Sequence, residues 1–137
     1  MKKHWAAGLI GRPWTPDENC WWLVRHVFRT RYGVEMPDIV VREFGEAENV
    51  AAIKRAASAS GWRPADGEPR DGDVVLMRGS LLGKRHVGVM IDTSQGLRLL
   101  HSDGFMTARG PVGSVAAQPL RDVLASGYGE VELWRKA

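Results

Sequence analysis

Gly11-Arg12-Pro13-Trp14-Thr15-Pro16-Asp17-Glu18-Asn19-Cys20-Trp21-Trp22-Leu23-Val24-Arg25 runs from turn formers into an apolar periodic segment, and it carries the only cysteine of the 137 residues. The glycine and prolines of its first half exclude a helix, whereas Asp17, Glu18 and Asn19 are residue types that cap and open one. Trp21, Val24 and Phe28 then recur at helical spacing, with Leu23 and Val27 widening the stripe. The spacing predicts a helix over 19–31, capped by Gly33 and stopped by Pro37. Cys20 therefore opens a helix. Its sulfur is expected at the positive end of the backbone dipole, where a thiolate is favoured.

The length suits one compact domain, 1–137, and is too short for two ordinary ones. A hydrophobic share of 44% and a charged share of 26% exclude general disorder. The net charge of +3 is spread along the chain with no basic run interleaved with aromatics, so nucleic acid is not an expected partner. One cysteine excludes an intramolecular disulfide and a Cys-rich zinc site. Met1-Lys2-Lys3 has the charge of a signal-peptide start, yet the apolar run from Trp5 to Ile10 is short and meets the Gly11-Arg12-Pro13 turn. No segment approaches the roughly 20 apolar residues that span a bilayer. The expectation is cytoplasmic synthesis with neither a signal peptide nor a membrane span.

Outward from the cysteine helix, residues 4–10 read as a helical lead-in docked by Trp5, Leu9 and Ile10, with His4 solvated. Residues 38–45 are a connector, and a second helix is predicted over 46–60 with Val50, Ile53, Ala56 and Ala57 inward and Gly61 as its cap. The prolines and glycines of 62–72 predict a loop, pinned by Trp62. From Asp73 the period changes to two. Strands are predicted over 73–78, 85–91, 97–101, 112–116 and 131–134, with a loop over 79–84 and a helical turn over 119–125. This order is an α+β domain.

The hairpin is where chemistry gathers. If Ile91 pairs with Gly96 across Asp92-Thr93-Ser94-Gln95, His86 lies directly opposite His101. That face also carries Gly88 and Met90, with Val87, Val89 and Ile91 turned to the core. Gly88 would leave room beside His86 for a helix terminus or a substrate. Cys20 is then a nucleophile, His86 its base, and His101 the group that orients the base. The Cys20 backbone N–H, unpaired at a helix start, could serve an oxyanion. His26, about 240° around the helix from Cys20, is not the base. Cys20, His86 and His101 could alternatively hold zinc, although no carboxylate base stands at a motif spacing. Asp103 is a possible fourth polar group of this set, more simply read as a solvated turn residue in Ser102-Asp103-Gly104.

These blocks resemble the NlpC/P60 cysteine peptidases. Gly11-Arg12-Pro13-Trp14 and Asn19-Cys20-Trp21-Trp22-Leu23-Val24-Arg25 are similar to the family's Gly-x-Pro-Tyr and Asp-Cys segments. Tyr32-Gly33-Val34-Glu35-Met36-Pro37-Asp38, Arg70-Asp71-Gly72-Asp73-Val74-Val75-Leu76, His86-Val87-Gly88-Val89 and Leu99-Leu100-His101 follow in the family's order, over roughly residues 8–104. The resemblance implies a papain-like α+β fold in which the cysteine helix packs on an antiparallel sheet carrying the histidines. It implies a Cys20, His86, His101 peptidase that needs no metal or cofactor. The implied reaction is hydrolysis of peptidoglycan stem peptides, typically at a γ-D-glutamyl bond to a diamino acid, with Trp14, Asn19 and Trp21 contacting substrate.

Trp62-Arg63-Pro64 is most similar to the phage and prophage branch of tail-associated wall hydrolases. Tail proteins are thus implied as partners and the virion tail, cell wall or periplasm as the destination. Trp14 stands where the family has Tyr, Asn19 where it has Asp, and Trp22 where it has Gly. These departures bear on substrate choice. They leave open a wall-binding module without activity, and another papain-like amidase or acyl transfer.

Overall fold

The structure, a computed structural model, describes residues 4–36, 47–79 and 85–136. The expected connector over 38–45, the Pro37 stop and most of the 79–84 loop lie outside the described residues. Helix α1 (Cys20–Val27) opens on Asn19, whose side-chain oxygen accepts the Trp22 N–H at 3.0 Å. The helix does not run on to Arg31 in α form. It widens into a π turn over Phe28–Tyr32 and ends on Gly33 in the left-handed region, with the Val34 N–H reaching Phe28. Helix α2 (Ala47–Ala59) buries Val50, Ile53 and Ala57 of its predicted face, with Ala56 only partly covered.

Six strands form one antiparallel sheet in the order β1-β6-β2-β3-β4-β5. They are β1 (Trp62–Ala65), β2 (Val74–Gly79), β3 (Arg85–Thr93), β4 (Gly96–Thr107), β5 (Gly110–Gln118) and β6 (Tyr128–Lys136). The predicted loop over 62–72 thus begins with a strand. Proline is tolerated there because β1 is an edge strand. Its Trp62 is buried edge-on against Phe28, which is the pinning expected of it.

Alternation along the strands divides the interior in two. Val74, Val87, Val89, Ile91 and Leu100 pack with Leu23, Val24 and Val27 beneath α1. Val75, Met77, Met90, Leu99 and Leu133 pack with Val123 of helix α3 (Leu120–Ala125) on the opposite face. Asp73, at the mouth of β2, is 1% exposed. Arg135 on β6 donates to both its oxygens at 2.7 Å, and the Arg70 N–H donates at 2.8 Å.

The N-terminal lead-in is a series of tight turns rather than a helix. Ala6 is the residue it buries, with Trp5 and Leu9 partly covered, while Ile10 is exposed. His4 is not simply solvated: its Nε2 bonds the Asp92 carbonyl at 2.6 Å and its Nδ1 accepts the Ala6 N–H. No described helix is long and apolar enough to cross a membrane.

Candidate active site

The β3–β4 register differs from the expected one by two residues. Thr93 pairs with Gly96, so Ser94 and Gln95 alone make the turn, and Gly88 rather than His86 lies opposite His101. The Thr93 hydroxyl stabilises this tighter turn by donating to the Gly96 carbonyl at 2.7 Å and accepting the Gln95 N–H. A slip of two keeps side-chain parity, so both histidines remain on one face. They meet diagonally: His86 Nε2 and His101 Nδ1 are 2.8 Å apart, and both rings are buried.

Gly88 makes that approach possible, though not by leaving a void. A Cβ there would lie 2.7 Å from Leu99 Cδ1 and 3.1 Å from His101 Cβ, so the space belongs to β4, not to a substrate.

The β3–β4 ladder ends at Gly88 and His101, while β2 continues to pair with β3 as far as Arg85. The Val87 N–H, released from the ladder, points to the Cys20 sulfur at the tip of α1. The break in pairing leaves the Val87 N–H to the first residue of a helix packed on one face of the sheet, while the histidines project from the other.

The thiol is not in the state expected from its helix position. Burial pushes it up to about 12, against a usual value of 9.0. The Val87, Trp21 and Cys20 N–H groups pull in the opposite direction, and the Asp103 carboxylate adds to the rise. With Cys20 only 5% exposed, desolvation of a thiolate outweighs a few backbone dipoles. Cys20 rests as a neutral thiol.

Asp103 is not a turn residue. Strand β4 runs through it to Thr107, and its carboxylate accepts the Tyr128 hydroxyl at 3.4 Å. Tyr128 is buried, stacks on His86 at 5.4 Å, and has its phenol raised by burial and then by Asp103 and Cys20. Donor atoms of His86, His101 and Asp103 all lie within 4.8 Å of one another, so Asp103, rather than Cys20, completes a ligand-like set with the histidines. Beyond His101, its Nε2 meets Gln118 Oε1 on β5 at 2.7 Å.

The sequence profile described as the NlpC/P60 family matches residues 10–121. The chain belongs to the NlpC/P60 family. It is also similar to the tail tip assembly protein K of Escherichia phage N15, with 29% identity over 109 residues, covering 77% of this chain and 44% of that protein. The chain thus spans less than half the length of that relative. No solved structure matches it significantly.

The NlpC/P60 fold explains the three departures locally. Trp14 does not stand free at the cleft. Its N–H bonds the Gly113 carbonyl at 3.0 Å, Pro13 bridges Ser114, and its ring lies on Gly104, where an added Cβ would come within 2.5 Å of Trp14 Cγ. Asn19 uses its side chain to cap α1 and is buried. Trp21, named with them as substrate-contacting, is 2% exposed and belongs to the core beneath α1. Trp22 faces outward, stacked on His26 at 4.8 Å with the Arg12 guanidinium 4.6 Å from its ring centroid. Arg12 in turn pairs with Glu18 at 2.6 Å.

His26, expected away from the thiol, is held in this stack. Burial, then Arg29 and Arg12, lower its affinity for a proton. A groove of about 220 Å³ opens beside His86, lined by Lys54, Arg78, Arg85, Glu130 and Glu132.

Tyr128 and Gln118 escaped sequence reasoning, and Asp103, a possible fourth polar group there, was read more simply as a turn residue. Asp103 was misassigned because the predicted third strand stops at His101. Tyr128 enters from a strand that pairs with β2, not with β3, so no local spacing indicates it. Gln118 could be found only through the β4–β5 register, which pairs His101 with Ala116 and brings position 118 to the same face.

Proposed function

We propose that this NlpC/P60 domain is a cysteine peptidase acting on peptidoglycan stem peptides, at the γ-D-glutamyl bond to a diamino acid, and that it works as part of a phage or prophage tail. The observation that carries the reading is the buried His86–His101 bond of 2.8 Å on a sheet whose Val87 N–H also faces the sulfur of a helix-opening cysteine. With Nε2 of His86 on His101, proton exchange with the thiol falls to Nδ1. The neutral thiol gives its proton to His86 as sulfur attacks the scissile carbonyl carbon, so base and nucleophile act in one step. The Cys20 N–H supports the oxyanion. Collapse of the tetrahedral adduct breaks the C–N bond, His86 returns the proton to the leaving amine, and a thioester remains. Water, deprotonated by His86, then releases the acid and the thiol.

Tail association rests on the likeness to a protein named for tail tip assembly. Delivery by the virion would carry the domain to the cell wall, and tail proteins would be its partners.

Incubation with muropeptides, followed by mass analysis, tests the peptidase reading. Wild type should release products that Cys20→Ala and His86→Ala do not; equal products from all three, or none from any, would end it. A second reading is favoured by one observation, the deep burial of a neutral Cys20 thiol. It is a wall-binding module that keeps the fold without turnover, and it predicts pelleting with peptidoglycan sacculi and no released peptide. Products carrying an added amine or alcohol in place of water would instead mark acyl transfer.

A further inference from the structure

We propose that Gln118 is a positioning residue that sets the tautomers of His101 and, through it, of His86, so that Nδ1 of His86 is the basic nitrogen. The inference rests on the reading of His86 as base and adds to it a residue at the far end of the histidine pair. An amide oxygen has no proton to give, so His101 Nε2 must donate across the 2.7 Å to Gln118 Oε1. A neutral His101 then carries its lone pair on Nδ1. That atom lies 2.8 Å from His86 Nε2, which must therefore be the protonated nitrogen of His86. The lone pair of His86 is left on Nδ1. With Oε1 turned to the His101 ring, each bond in the chain runs one way, and the direction is set at Gln118.

The strands supply the geometry. In the β4–β5 ladder His101 pairs with Ala116, and Gln118 stands two residues further on the same face, within reach of the ring. His101 is buried while Gln118 lies at the exposed end of β5. A substitution at Gln118 therefore removes a hydrogen-bond acceptor without opening the core. Lacking that acceptor, His101 could carry its proton on either nitrogen. When Nδ1 holds it, His86 Nε2 must accept, and the His86 proton moves to the nitrogen that should receive the thiol's.

Long-range proton–nitrogen correlation spectra of histidine-labelled protein test this directly, on wild type, Gln118→Leu and Gln118→Glu. Wild type should show both rings protonated on Nε2. In Gln118→Leu the unprotonated signature of His86 Nδ1 should weaken, and kcat/KM on muropeptides should fall about 3- to 10-fold, the range one neutral hydrogen bond sets. Gln118→Glu should restore the wild-type tautomers, because a carboxylate oxygen likewise accepts the His101 Nε2 proton. A wild-type His86 protonated on Nδ1 would overturn the proposal, as would Gln118→Leu spectra identical to wild type whatever its rate. The spectra need no turnover. If they show the expected tautomers in a protein that cleaves nothing, the peptidase reading fails and the role of Gln118 stands.

Discussion

Raising the pH should erode the stability of the wild-type protein relative to Cys20→Ala, through the buried thiol alone. The Cys20 value is raised from 9.0 to about 12, and each unit corresponds to about 1.36 kcal/mol, so the full effect is roughly 4 kcal/mol. The folded value lies above the unfolded one. The contribution is therefore complete below about pH 9 and is lost as pH rises toward about 12, because the unfolded chain releases a proton that the folded chain retains. At about pH 10.5, midway through that window, the loss should be about 2 kcal/mol.

Urea denaturation of both proteins, followed by tryptophan fluorescence at about pH 7.5 and about pH 10.5, measures it as a change in their difference. Tyr32 and Tyr128, also raised by burial, titrate in both proteins and largely cancel. A difference that does not move across the window would refute the argument, since the thiol would then be solvated or already ionised. Iodoacetamide gives an independent reading. Alkylation should be slow at neutral pH and accelerate only above about pH 9, whereas a fast plateau from acid pH upward would reveal a standing thiolate–imidazolium pair.

Three further outcomes follow from particular contacts. Asp73→Ala should cost roughly 2 kcal/mol in urea, because it strands the Arg70 N–H and removes both Arg135 bonds; Arg135→Met should cost more, since it leaves a buried carboxylate with less compensation. Gly104→Ala should destabilise by about 2 kcal/mol and alter the near-ultraviolet dichroism of Trp14, because the new Cβ overlaps that ring and the Val112 carbonyl. A melting curve and spectrum unchanged from wild type would contradict the packing. Added Zn²⁺ should inhibit hydrolysis by engaging His86, His101 and Asp103, EDTA should reverse it, and Asp103→Asn should weaken it; inhibition undiminished in Asp103→Asn would exclude that set.

A neutral resting thiol shapes the chemistry. A preformed thiolate would make the reaction depend on keeping a charge buried, and the nearby Asp103 carboxylate works against it. On the proposed peptidase reading, catalysis through Cys20 would depend on a base correctly protonated before substrate arrives. That requirement gives weight to the His86–His101–Gln118 chain.

Apart from the N-terminal turns and β1, the order of elements was legible in the sequence, as were the helix start at Cys20, the Gly33 cap and the inward faces of α2 and β3, because they depend on neighbours in the chain and on periods of 3.6 and 2. So was the pairing of His86 with His101 on one face, since parity survives the two-residue slip caused by the tighter Thr93 turn. What needed the tertiary structure was everything set by distance between strands. The end of the β3–β4 ladder frees the Val87 N–H for Cys20, β6 brings Tyr128 across β2 to His86, and β5 brings Gln118 to His101. The protonation of the nucleophile belongs to the same group. A helix dipole can be read from a local sequence, but desolvation depends on what other parts of the chain pack over the sulfur, and here that larger effect keeps Cys20 neutral.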